Sequence, residues 1–333
     1  MLGPFLLAEL SLISSYFRNM EYKDQVAEVY NRIKKYIKTT PVLSSAYFSS
    51  KTGSTILYKC ENLQHTNSFK VRGAFSKITA MNDTSKILIC TSGGNHGMAV
   101  SFAARQFGMK AIVVVPDFVP RFRIDMIKAL GGEVIVHGKT MDELDAKVAE
   151  YTVDPRYVYL HPFDDLDVIA GQATVAYELL NEHPDTDIII ASIGGGGLIS
   201  GISQYARSFN PGIKVYGVQT TGCNAMSESL QAGEVVSIPG ITSIATSLGA
   251  TKVTERTFQI VKNNVIKVVT VSDEEAIRDM KDVLDKDKLL VEPASSCNLS
   301  AILAGRFPDI KGKKVAVILC GGNFSLEQLK SYL

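Results

Sequence analysis

The feature that most limits what this chain can fold into is an alternation of short β-branched runs with amphipathic helical stretches, sustained over almost its whole length. The runs are Thr55 to Tyr58, Ile87 to Cys90, Ala111 to Val115, Glu133 to Val136, Tyr157 to Leu160, Asp187 to Ala191, Val215 to Val218, Ile266 to Val271 and Val315 to Leu319. This order predicts an α/β fold in which parallel sheets are covered by helices on both faces. One helix start is well marked, with Ser272 as N-cap and Glu275 three residues on completing a capping box. In such sheets a ligand lies beyond the carboxyl ends of the strands. Three places there carry unusual chemistry: Thr91 to Gly97, Ser192 to Gly201, and Cys320-Gly321-Gly322-Asn323.

The second of these, Ser192-Ile193-Gly194-Gly195-Gly196-Gly197-Leu198-Ile199-Ser200-Gly201, follows an apolar run and opens onto a helical pattern. Without Cβ atoms the backbone can bring several N–H groups onto one anion, and the helix adds its positive N-terminal end. A phosphorylated ligand is expected. A dinucleotide fold would need the strict G-x-G-x-x-G spacing and an acid at the end of the next strand, where Gln219 stands. A nucleotide P-loop would need Gly-Lys-Ser/Thr after the glycines, and none follows. A flexible linker would be polar, whereas Ile188-Ile189-Ile190 and Leu198-Ile199 flank this run.

A length of 333 residues suffices for two lobes around sizeable cores. Hydrophobic residues make up 46% and charged residues 21%, and the net charge of +1 offers no field for nucleic acid or an anionic membrane. Neither is expected as a partner. The five cysteines are scattered and form no Cys-x-x-Cys pair, which argues against a disulfide framework or a zinc site and fits a reducing cytoplasm. The segment Met1 to Met20 is apolar at first but lacks a basic start and carries Pro4 and Glu9, so it reads as an extra docking segment or an upstream start.

Thr91-Ser92-Gly93-Gly94-Asn95-His96-Gly97 is a second glycine turn before a helical stretch, Met98 to Phe107, and presents Ser, Asn and backbone N–H groups together. Such a nest suits a carboxylate. A plain strand-to-helix turn with Asn95 as cap would read the same, and His96 reads equally as a packing histidine. Upstream, Asn67-Ser68-Phe69-Lys70-Val71-Arg72-Gly73-Ala74 sets a lysine near a helix start. Lysine forms Schiff bases, and partial burial frees its amine. On chemistry alone Lys70 is not separable from Lys59 or a surface lysine.

These pieces, in this order, resemble the fold-type II pyridoxal phosphate enzymes of the tryptophan synthase β type, specifically the serine/threonine dehydratases. Matching stretches continue through His161-Pro162-Phe163-Asp164-Asp165, Val168-Ile169-Ala170-Gly171-Gln172 and Leu290-Val291-Glu292-Pro293-Ala294, so the resemblance covers roughly Glu21 to Leu333. It implies that Lys70 carries the cofactor as a Schiff base and removes the α-proton, with the β-hydroxyl protonated through the cofactor phosphate. It implies further that Gly194, Gly195, Gly196 and Gly197 with Leu198 bind the phosphate, and that Phe69 covers a ring face. Asn95 would bond the ring oxygen, Glu292 would lie near the ring, and Cys320 would meet the ring nitrogen. Ser92, Gly93, Gly94, Asn95 and His96 would hold the substrate carboxylate.

Two details lean toward the serine dehydratase branch: Cys320 itself, and the segment Ile241-Thr242-Ser243-Ile244-Ala245-Thr246-Ser247-Leu248-Gly249. A neutral thiol leaves the ring a weaker electron sink than a carboxylate would, which suits rapid loss of a β leaving group. An ordinary buried cysteine at a strand end is the other reading of Cys320. Two departures count as well. Serine racemases of this family carry a serine acid/base where this chain has Gly93, and a glycine exchanges no proton. The family's cation site matches Gln219, Cys223 and Ala225, so a divalent metal is not expected, while a monovalent ion held by carbonyls is compatible.

The expectation is therefore a two-lobed enzyme, residues 1–85 and 166–333 forming the large cofactor lobe and 86–165 the small substrate-loop lobe. It would deaminate L-serine or L-threonine to the 2-oxo acid and ammonia, as a cytoplasmic homodimer. The alternatives are β-replacement, elimination from a larger β-hydroxy amino acid, racemisation, a non-catalytic binding protein on this fold and, least favoured because of Gln219, a nicotinamide-dependent dehydrogenase.

Overall fold

The structure is a computed structural model that describes residues 21–332, so the apolar segment before Glu21 lies outside the described residues. Its strands are β1 (Val42–Ser44), β2 (Thr55–Lys59), β3 (Ile87–Thr91), β4 (Ala111–Val115), β5 (Glu133–Val136), β6 (Tyr157–Tyr159), β7 (Ile188–Ser192), β8 (Lys214–Thr220), β9 (Lys267–Val271) and β10 (Lys314–Ile318). They form a six-stranded sheet in the order β1-β2-β10-β7-β8-β9 and a four-stranded sheet in the order β5-β4-β3-β6. All neighbours pair in parallel except β1, which runs antiparallel to β2. Parallel strands need crossovers, and the helices between them supply these, giving the two-lobed α/β architecture.

Side chains alternate between the faces of a strand, and in the smaller sheet both faces are covered. Leu88, Cys90, Val113 and Val115 pack on one side with residues of the helices Tyr22–Ile33, Lys70–Met81 and Asn95–Gln106. Ile89, Ile112 and Val114 pack on the other with Leu144 and Val148 of the helix Met141–Thr152. The helix carrying Lys70 thus shares a core with the smaller sheet. The larger sheet has its own core, built around β7, β8 and β10.

The helix Leu166–Glu182 packs between Lys70–Met81 and Gly197–Phe209. Gly171 permits the close crossing, since a Cβ there would stand 2.6 Å from the Arg72 carbonyl oxygen. The helix Asp273–Asp282 begins with the expected box: Ser272 Oγ accepts from the Glu275 N–H, and Glu275 Oε2 accepts from the Ser272 N–H. Such a cap is worth about 1 kcal/mol. Among the described residues, no helix is long and apolar enough to cross a membrane.

Candidate active site

Parallel pairing brings the carboxyl ends of β2, β10, β7 and β8 to one edge of the larger sheet. The loops after β7 and β10 therefore lie side by side, as the sequence reading requires. Lys70 joins them through an unusual approach. Thr66 and Asn67 both occupy the left-handed region, with φ of 56° and 52°. A β-branched residue rarely adopts this conformation, which costs of order 1–3 kcal/mol, so other contacts must hold it. Asn323 Nδ2 donates to the Thr66 carbonyl at 2.7 Å, and the Gly322 N–H donates to the Asn67 carbonyl at 3.0 Å. Ser68 then bridges Gly321, and the Phe69 N–H donates to the Cys320 carbonyl at 3.2 Å. The segment before Lys70 is thereby fastened to the turn after β10, and the chain enters the helix Lys70–Met81 with Lys70 beside Cys320.

Lys70 Nζ donates to the Pro162 carbonyl at 2.7 Å and lies 5.2 Å from the centre of the Phe69 ring. Desolvation by burial pulls its pKa from 10.5 to about 8, so a useful fraction is free amine at neutral pH. Lys59, the other lysine the sequence left open, is committed elsewhere: its Nζ donates to Glu178 Oε2 at 2.6 Å and to the Thr40 carbonyl at 2.7 Å.

In the glycine loop, no acceptor among the described residues takes the N–H groups of Gly194, Gly195 or Gly196. Gly197 opens the next helix, whose first N–H groups also lack intrahelical partners. Gly196 has φ of +97°, and a Cβ on Gly195 would stand 2.2 Å from the Phe163 ring. The loop is thus a cradle of unclaimed donors that no larger residue could form. Phe163 comes from the His161 to Asp165 stretch, and its contact with the loop is absent from the sequence reading.

Cys320 Sγ lies 3.3 Å from Ser295 Oγ and 3.5 Å from Ser192 Oγ, and burial pushes its thiol up to about 12. It is a neutral group at neutral pH. Asn95 and Glu292, distant in sequence, meet directly: Asn95 Nδ2 donates to Glu292 Oε1 at 2.9 Å. The same oxygen accepts from Ser247 Oγ at 2.9 Å, while Glu292 Oε2 accepts from the Asn323 N–H at 3.2 Å. Asn323 Nδ2 also donates to Asn95 Oδ1 at 2.9 Å. Burial raises the Glu292 carboxyl above its ordinary value, and these donors only partly offset it. Ser247 and Asn323 belong to this network without having been singled out individually from sequence, although both sit in stretches quoted above.

In the substrate-loop candidate, Ser92 Oγ accepts from the Gly94 N–H at 3.2 Å. The helix Asn95–Gln106 starts at Asn95, and Gly94 rather than Asn95 is its cap. The N–H groups of Asn95, His96 and Gly97 thus form the open first turn. The His96 side chain is turned away: Nε2 donates to the Leu160 carbonyl at 2.8 Å, and burial lowers its pKa to about 3. It is a neutral packing imidazole. Gly93 leaves no room for a side chain, since a Cβ there would stand 2.5 Å from Val119 Cγ2. Gln219 Nε2 donates to the Ile193 and Cys223 carbonyls at 3.0 and 2.9 Å, claiming two oxygens at the position compared above with a cation site. Among the described residues no cluster of His, Cys, Asp or Glu could hold a metal ion, and all five cysteines are free and buried.

Residues 33–321 match the family model of the pyridoxal-phosphate dependent enzymes. The chain is 35% identical to an L-threonine ammonia-lyase of Thermotoga maritima over 308 residues, which is 92% of this chain and 76% of that protein. Its fold superposes on the serine racemase of Dictyostelium discoideum with a TM-score of 0.86 and 37% identity, covering 91% of this chain and 99% of that one. A fungal L-serine ammonia-lyase from Rhizomucor miehei gives 0.81 and 28%, with 89% and 98% covered. Together with the lysine, the glycine cradle and the two-sheet topology, these likenesses show that the chain belongs to the pyridoxal-phosphate dependent enzymes, in their fold-type II branch.

Proposed function

We propose that this enzyme deaminates L-serine or L-threonine to the corresponding 2-oxo acid and ammonia, as a homodimer in the cytoplasm. The observation that carries the reading is Lys70: a recessed amine with lowered basicity whose polar contact, among the described residues, is the Pro162 carbonyl, with the neutral Cys320 thiol near enough to act on its charge.

The residues fit pyridoxal phosphate. The cradle offers unclaimed N–H donors, and the buried Ser68 Oγ beside Phe69 has no partner. When bound, the cofactor supplies a carbonyl that captures amines and a conjugated ring that accepts the electron pair left by α-proton removal. Gly194, Gly195, Gly196, Gly197 and Leu198 would hold its phosphate, and Phe69 would cover a ring face. Lys70 would hold the cofactor, and its Nζ would take the α-proton of the substrate; an amine of pKa about 8 is matched to that task at neutral pH. Asn95, fixed at both ends of its amide by Glu292 and Asn323, would orient the ring oxygen. Cys320 would give the ring nitrogen a non-ionic neighbour. The N–H groups of the Ser92 to Gly97 turn receive the substrate carboxylate.

Racemisation requires a proton donor on each face of the α-carbon. The position beside Asn95 that would serve the second face is Gly93, and Val119 fills the space a side chain there would need. The likeness to ammonia-lyases acting on serine and threonine supports elimination. The test is incubation of the cofactor-loaded enzyme with L-serine or L-threonine and no added nucleophile. Equimolar 2-oxo acid and ammonia are expected. D-serine without oxo acid, or product only with an added thiol, would replace this reading by racemisation or β-replacement.

A further inference from the structure

Gln219 stands near the end of β8, buried to 1% exposure, and its amide is spent entirely on backbone. Nε2 donates to the Ile193 carbonyl at 3.0 Å and to the Cys223 carbonyl at 2.9 Å, and Oε1 accepts from the Ser227 N–H at 2.8 Å. One side chain thus ties together the glycine loop, the turn after β8 and the first turn of the helix Ala225–Ala232. The bond to Ile193 is the one that bears on the site. A peptide unit is planar and trans, so the Ile193 carbonyl and the Gly194 N–H point in opposite directions. With the carbonyl held by Gln219, the Gly194 N–H is turned away from it, and no acceptor among the described residues takes that N–H. The Ile193 N–H is fixed as well, donating to the Val218 carbonyl at 2.8 Å. What could still turn this peptide is φ of Gly194, and glycine restricts φ least of all residues.

We propose that Gln219 is a positioning residue for the glycine cradle: its amide locks the Ile193–Gly194 peptide so that the Gly194 N–H is preset for the phosphate. This rests on the reading above that Gly194 to Gly197 hold the cofactor phosphate. A donor already aimed at the anion binds it without a peptide rotation having to be frozen at that moment. The residue type fits the task. Two carbonyls need two N–H donors and the Ser227 N–H needs an acceptor, and a neutral amide supplies all three. A glutamate would set an oxygen against both carbonyls and a negative charge behind an anion site, while a lysine would leave the Ser227 N–H unpaired. Gln219 therefore acts through the peptide it grips.

The experiment titrates the cofactor-free full chain with pyridoxal phosphate and with pyridoxal, which has the same ring and aldehyde but no phosphate. Wild type is compared with Gln219→Met and Gln219→Glu, the fold of each being checked by circular dichroism. The ratio of the two affinities isolates the phosphate from Lys70 and the ring. In Gln219→Met it is expected to fall by about 10- to 100-fold, the range for losing a charge-assisted hydrogen bond, with the affinity for pyridoxal unchanged. Gln219→Glu keeps the shape and the bond to Ser227, and its ratio should fall at least as far; it decides alone should Gln219→Met not fold. A ratio that stays at the wild-type value, whether or not both affinities fall together, overturns the proposal and makes Gln219 a structural brace. If wild type itself binds the two ligands equally well, the phosphate reading of the glycine loop has failed, and the proposal falls with it.

Discussion

Beneath the active site, Lys59, Glu61, Arg72 and Glu178 form a buried set of two cations and two anions, all at most 3% exposed in their side chains. Arg72 binds both acids: Nε and Nη2 reach Glu61 at 2.7 and 2.8 Å, and Nη1 and Nη2 reach Glu178 at 2.9 and 2.8 Å. Arg72→Met keeps much of the volume but leaves two buried carboxylates facing one ammonium. Removing one partner from a buried ionic group costs about 3–5 kcal/mol, a large part of the whole stability of a folded domain. The double change Arg72→Met with Glu61→Leu restores charge balance and spares the Lys59 to Glu178 pair, so it should recover at least half of that loss. Urea unfolding followed by circular dichroism measures both. Burial alone would raise the Glu178 carboxyl, yet Arg72 and Lys59 outweigh it and hold the group below its ordinary 4.5. The stability it contributes is therefore present above that value and lost as pH falls through the lower folded one. In Arg72→Met the acid-induced loss should begin at higher pH. A single variant within about 1 kcal/mol of wild type, or a double variant less stable than the single, would refute the reasoning.

Further expectations concern the site itself. In the cofactor-free enzyme, modification of Lys70 by an amine-directed reagent should rise with a midpoint near 8; a midpoint above 10 would show that the amine is not desolvated as described. At pH 7 about a tenth of such a lysine is free amine, against about one part in 3,000 for an ordinary one. Gly195→Ala drives a methyl into Phe163 and should weaken cofactor affinity by about tenfold or more in equilibrium dialysis, while wild-type affinity would show that the loop does not bear the phosphate. Cys320→Ser should leave the cofactor bound and change only the turnover rate; loss of the visible cofactor band would make the residue structural.

The strands were legible because their β-branched runs survive in the fold nearly residue for residue, as with Ala111–Val115 and Glu133–Val136. β1 was not, since Val42–Ser44 is short, mostly exposed and antiparallel, with no apolar run to mark it. The helix after β3 starts at Asn95 rather than Met98, because Asn95, His96 and Gly97 carry no apolar periodicity although all are buried. The site was legible where chemistry sits in contiguous motifs, as in Ser68-Phe69-Lys70 and the four glycines. It was opaque where function depends on meetings across the chain. Asn95 with Glu292 and Phe163 on Gly195 arise only from the packing of loops of the two sheets. The buried ionic set is the same case: nothing in the sequence pairs Lys59 or Arg72 with Glu178, and the Lys59 contact with Glu178 is what separates Lys59 from Lys70.

The central claim, that Lys70 is the residue joined to the cofactor and drives the chemistry, is tested most directly by borohydride reduction of the loaded enzyme followed by peptide mass mapping. The account expects a single pyridoxyl-phosphate adduct on Lys70, and loss of both the adduct and 2-oxo acid formation in Lys70→Ala. An adduct on Lys59 or any other lysine, or oxo acid formation that survives Lys70→Ala, would contradict it.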